Sequence, residues 1–311
     1  MIRDAIQHYC RRGRLDIDGW FPRLDAHLFA LILEAQEKDG LGVVEIGVHH
    51  GKSFVPLALS NDAQRCYAVD VFDRQDQNTD RSGKGDLAKF SESLMRVGID
   101  PADIVIDKRR SDQVAPADIL DSVGPVRFFH IDGGHHAEAV QDDLALADAT
   151  LHESGVVAVD DAFRPDWPEV DRGMFAALAD DALDLHAFAF GHNKLYLCRK
   201  AWLTRYRTLL ADDPFLSIFF ARLYTGRYTS LMIFRRLFDA TASFRAMAVA
   251  FLLERYPDLV FAMMARFTPN ALERRHLRRQ LPKHLFMPKP ETAGLSVAAS
   301  KPEEKRGRKA A

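Results

Sequence analysis

Cysteine is scarce in this chain. Only three occur among 311 residues, Cys10, Cys66 and Cys198, and they stand far apart. A sparse, odd count excludes a disulfide framework and fits a reducing, cytoplasmic setting. Long apolar runs are also missing. No stretch approaches the roughly 20 uncharged apolar residues of a spanning helix. Met1-Ile2-Arg3-Asp4-Ala5 is not followed closely by the apolar run of a secretory signal. An overall excess of one charge is absent too, with a formal net charge of −2.

That balance hides a division along the chain. Residues 201–311 carry 20 Lys and Arg against 9 Asp and Glu, while the rest carries 22 against 35. The basic part is expected to pack on the acidic part, to pair two subunits, or to lie peripherally on an anionic membrane. Nucleic acid is a weaker expectation, because no recognition motif accompanies the charge.

The organisation follows from apolar patterning. Residues 1–40 read as helices, with Leu24, Leu28, Leu31, Ile32 and Leu33 forming an apolar face after Pro22. Short apolar runs then alternate with helical stretches at 41–46, 65–71, 104–107, 126–131 and 155–159. Runs of that length are typical of buried parallel strands. Alternation with helices predicts a Rossmann-like, doubly wound α/β sheet. Residues 185–190 and 194–198, joined by Gly191-His192-Asn193, predict an antiparallel hairpin that closes a domain spanning 41–200. In 201–287, Phe215, Ile218, Phe219, Leu223, Leu231, Ile233, Phe234, Leu237 and Phe238 are spaced as in amphipathic helices. That spacing predicts a C-terminal helical extension. Residues 288–311 have the Pro/Lys/Glu/Ala-rich composition of a disordered tail.

The first strand runs into Glu45-Ile46-Gly47-Val48-His49-His50-Gly51-Lys52-Ser53. Strand, glycine turn and helix together make a ready anion or nucleotide site. A phosphate-binding Walker loop needs four residues between Gly and Gly-Lys-Ser, and here there are three. The dinucleotide pattern G-x-G-x-x-G is absent as well. What remains is Glu-x-Gly-x-x-x-Gly, or a turn that binds nothing. Asp70 ends the second strand and is placed to accept ribose hydroxyls. Ser111 and Asp112 follow the third strand, where an adenine would lie.

Asp132 ends the fourth strand, and Asp160-Asp161 ends the fifth. Three carboxylates converging beyond strand C-termini would repel one another without a cation. Oxygen ligands suit Mg²⁺ or another hard divalent ion, which could acidify a substrate hydroxyl. Alternatively, Asp160-Asp161 caps a turn. His135 is the candidate general base, or a packing residue, and for His136 the packing role is the better fit.

Together these residues resemble the class I S-adenosylmethionine-dependent methyltransferases, and within them methyltransferase family 24. They are similar also to the macrocin- and catechol-type O-methyltransferases. The resemblance covers about residues 19–200. It is carried by Gly19-Trp20, Val44-Glu45-Ile46-Gly47 with Gly51-Lys52-Ser53, His130-Ile131-Asp132-Gly133-Gly134-His135, Gly155 to Asp161, and Phe190-Gly191-His192-Asn193-Lys194-Leu195. It implies S-adenosylmethionine as cofactor, held by Glu45, Gly47, Gly51, Asp70, Ser111, Asp112 and Asp132. It implies a metal on Asp132, Asp160 and Asp161, and a hydroxyl of a small molecule or glycan as acceptor. In one departure, Gly134 stands where macrocin-type enzymes carry their Asp base. In another, His135 stands where catechol-type enzymes carry Lys.

Overall fold

A computed structural model describes residues 2–179, 182–225 and 230–234, with 252 and 256. In chain order, helices α1 (Ile2–Arg11) and α2 (Arg23–Ala35) lead into strand β1 (Gly42–Ile46), α3 (Phe54–Leu59), β2 (Cys66–Val69), α4 (Leu87–Arg96) and β3 (Val105–Asp107). Then come α5 (Pro116–Val123), β4 (Val126–Ile131), α6 (Ala137–Thr150), β5 (Leu151–Val159) and α7 (Pro168–Leu178). Strands β6 (His186–Phe190) and β7 (Leu195–Cys198), helices α8 (Leu203–Ala211) and α9 (Pro214–Phe219), and strands β8 (Phe220–Thr225) and β9 (Ser230–Phe234) follow.

The strands form one sheet in the order β3-β2-β1-β4-β5-β7-β6-β9-β8. The first five are parallel, and β7 enters antiparallel between β5 and β6. The expected α/β sheet with its closing hairpin is therefore present. Its central strands are buried throughout and mostly apolar, as a sheet covered on both faces requires. One core layer packs α1, α2, α3, α8 and α9 on one face, and a second packs α5, α6 and α7 on the other. Strand order reverses between β1 and β4. In open α/β sheets that switch point is where ligands bind, beyond the strand C-termini.

One expectation for the extension changes. Residues 203–219 are helical, but 220–225 and 230–234 are strands. β9 lies parallel to β6, with Met232 opposite Ala189, and β8 closes on β9. Met232 and Phe234 are buried, while Leu231 and Ile233 are half-buried, which is a strand's alternation. A four-residue apolar run does not distinguish helix from strand by itself. The open edge of β6 decides it. The rest of the extension and the tail lie outside the described residues. Among the described residues, no helix is long and apolar enough to cross a membrane.

Candidate active site

A cavity of about 790 Å³ opens over the β1/β4 switch point. Gly47 shapes its floor. Its φ of +81° is left-handed, and a Cβ there would lie 1.7 Å from the Asp132 carbonyl oxygen. Only glycine lets the two strand ends come so close. Gly51 (φ +87°) faces the other way, with Phe90 filling the space a Cβ would take. His49, Phe72 and Asp161 also hold positive φ, each just past a strand end that rims the cavity. Such backbone conformations persist where the surrounding structure enforces them.

The cofactor-side residues divide into two groups. Gly47, Asp70, Ser111, Asp112 and Asp132 line the cavity. Asp70 accepts from the backbone N–H of His49 (2.7 Å) and of Phe72 (2.6 Å), which fixes its carboxylate at the β2 tip. Burial raises its pKa, and those hydrogen bonds draw it back. Glu45 and Gly51 are not brought to the cavity. Glu45 is fully buried beneath the loop, where it accepts from Ser53 Oγ at 2.5 Å. It therefore ties strand to helix. Lys52, which invites a phosphate-clamp reading, instead donates to the Gly19 carbonyl at 2.8 Å.

His135 lies between two acids. Its Nδ1 is 2.7 Å from Asp80 Oδ2, and its Nε2 is 2.9 Å from Asp161 Oδ2. Its backbone N–H also donates to Asp80. Burial would lower its pKa, but Asp161 and Asp80 raise it to about 9. A carboxylate at each ring nitrogen therefore favours the protonated ring over a neutral base. Trp167 stacks on it at 4.0 Å. Asp80 and Trp167 were not legible as site residues, because each sits in a loop with no motif. His136 is half-exposed beside Glu169, away from this pair.

The acid cluster is assembled as expected, but it has its own cation. Lys194 is fully buried, and its ammonium donates to Asp160 Oδ2. Asp160 Oδ1 accepts from Asn193 Nδ2 and from the Asp161 N–H, both at 2.7 Å. Asp161 Oδ1 accepts from Asn193 (3.0 Å) and Arg164 (2.9 Å), and its Oδ2 faces His135. The ligand atoms of Asp132, His135 and Asp161 lie within 4.8 Å of one another, close enough for a cation. The donor set does not fit one. All four oxygens of Asp160 and Asp161 are already met by N–H donors, three of them on cationic side chains. Asp132, Asp160 and Asp161 are thus brought together, and the chain's own N–H donors meet the oxygens of the last two. The signal was in the sequence, in Asn193-Lys194 of the hairpin, but nothing there placed the ammonium on Asp160.

Beneath this lies a buried polar row. Glu45, His130 and Ala158 are lateral neighbours across β1, β4 and β5, and Tyr196 follows on β7. Their face meets α2, where buried Asp25 accepts from Tyr196 Oη at 2.8 Å. Burial pushes Glu45 up to about 8 and Asp25 up to about 6. It also keeps His130 neutral, with Lys194 adding to the effect.

The sheet with its antiparallel β7, the glycine loop after β1 and the acid at the β2 tip make a Rossmann-like doubly wound α/β fold. Residues 44–162 match the profile of methyltransferase family 24, described as a methyltransferase domain. That bears out the resemblance carried by the motifs. No curated protein matches the chain in sequence. Among solved structures, it is similar to the calicheamicin methyltransferase CalS11, with TM-score 0.42 and 18% identity over 56% of this chain and 76% of that one. It is similar also to TrmN from Thermus thermophilus (0.37; 16%; 56% and 48%) and to the O-methyltransferase NovP (0.36; 12%; 64% and 78%).

Proposed function

We propose that the chain transfers the methyl group of S-adenosylmethionine to a hydroxyl of a small molecule or glycan. One observation carries this. The cofactor-side residues Gly47, Asp70, Ser111 and Asp132 share a single cavity with the Asp80–His135–Asp161 chain and Trp167. Its volume suits a cofactor beside a modest acceptor, within the usual range for ligand sites. Trp20, 78% exposed at the rim, and Trp167 offer flat apolar faces to the acceptor.

The sulfonium is already activated, so positioning supplies most of the catalysis. The S–CH₃ bond breaks as the O–CH₃ bond forms, and the hydroxyl proton passes to the carboxylate of Asp132 on the cavity wall, whose burial raises its proton affinity. The paired carboxylates favour transfer without a metal over the metal-assisted form expected from sequence. Calorimetry tests the cofactor step. Wild type should bind S-adenosylmethionine, and Asp70→Ala should weaken binding by about tenfold or more, the effect of losing about 1.4 kcal/mol. No heat at millimolar cofactor would sink the proposal. Labelled cofactor with a panel of hydroxylated acceptors then tests transfer.

A further inference from the structure

The geometry assigns to Lys194 the place of a resident divalent cation: its ammonium is the positive charge around which the strand-end acids are organised. Several observations converge on it. Lys194 is fully buried, with its ammonium on Asp160. The charges of Asp132 and Asp25 also act on it. The acid it bonds is Asp160, at the end of β5. A buried ammonium is retained only where carboxylates pair with it.

The backbone places it there. β7 pairs with β5 so that Leu195 lies opposite Val159, which sets Lys194 beside Asp160. The turn is locked by the Gly191 N–H to the Lys194 carbonyl and by the Ala162 N–H to the Asn193 carbonyl, each 2.9 Å. Asn193 completes the arrangement by bridging Asp160 and Asp161. A hard divalent ion needs several oxygens free at about 2.0–2.6 Å. Here the pair's oxygens point at nitrogen donors. Lys194 is thus a positioning residue, holding Asp160 as a metal would.

The inference rests on the methyl-transfer reading only for one consequence, that EDTA leaves turnover unchanged. Its main test reads the protein alone, by electron paramagnetic resonance of Mn²⁺ titrated into the full-length chain. Wild type should show no stoichiometric bound Mn²⁺ at millimolar ion. Lys194→Ala frees the acids and should acquire one site, tighter than wild type by about tenfold or more, the scale of a metal-site change. In a Lys194→Met/Asp160→Asn double variant that site should be missing. Stoichiometric Mn²⁺ in wild type, lost in Asp160→Asn, overturns the assignment. So does a folded Lys194→Ala that binds none. If Lys194→Ala does not fold, the wild-type titration decides alone.

Discussion

Glu45 sits at the β1 end of the buried row, and its pKa of about 8 makes stability depend on pH. Its folded value lies above its unfolded value of 4.5, so the folded state keeps a proton the unfolded chain has lost. That contribution is full below pH 4.5 and is lost as pH rises towards 8. Urea unfolding should show wild type losing more stability between pH 5 and 8 than Glu45→Gln, and equal slopes would contradict the buried-acid assignment. His135 works through a different window. Burial is outweighed by Asp161 and Asp80, so its folded pKa, about 9, exceeds the unfolded 6.5. Its contribution is present below pH 6.5 and is lost as pH rises through about 9. The loop of residues 72–86, pinned through Asp80, should therefore be cut faster by protease above pH 9, and at every pH in His135→Ala. Lys194→Ala should cost about 3–5 kcal/mol, the usual result of stranding buried charges.

Among the elements, α2 and the β9–β8 pair do more than cover surface. α2 supplies Asp25 to the row and packs Phe29 against His130, with ring centroids 5.1 Å apart. Helices α8 and α9 bury Tyr206, Leu210 and Phe215 in the same layer as α2. Helices α8 and α9 and strand β9 therefore contribute to the core rather than forming an appendage. A chain ending at residue 200 should be markedly less stable than one ending at residue 234, by thermal melting. Phe215→Ala should cost about 3–5 kcal/mol in urea unfolding. A truncation that melts with the parent would show instead that the extension is peripheral.

For the molecule as a whole, cofactor binding and folding are linked. Saturating S-adenosylmethionine at about 100 times its dissociation constant should stabilise the chain by about 2.7 kcal/mol. That corresponds to a rise in melting temperature of roughly 4 °C for a chain of this size. Asp70→Ala should melt without that rise. An unchanged wild-type melting temperature would separate this chain from cofactor-dependent methyl transfer even though its fold is a methyltransferase's.

Much of this was legible from local patterns. Apolar runs of strand length, the Glu45-to-Ser53 loop and acids at three strand tips set the sheet, its hairpin and the site's edge, because period and turn chemistry are short-range properties. Three other features needed the tertiary structure. Glu45 lies under the loop rather than in the cavity, because it shares a pleated face with His130 against α2. The run at 231–234 became a strand because β6 offered an open edge. Most of all, the sequence showed three acids in need of a cation without showing which one. Only the pairing of β7 with β5 brings Lys194, more than thirty residues later in the chain, onto Asp160. Charge balance in a buried site is settled by which groups meet in space, and that depends on strand order.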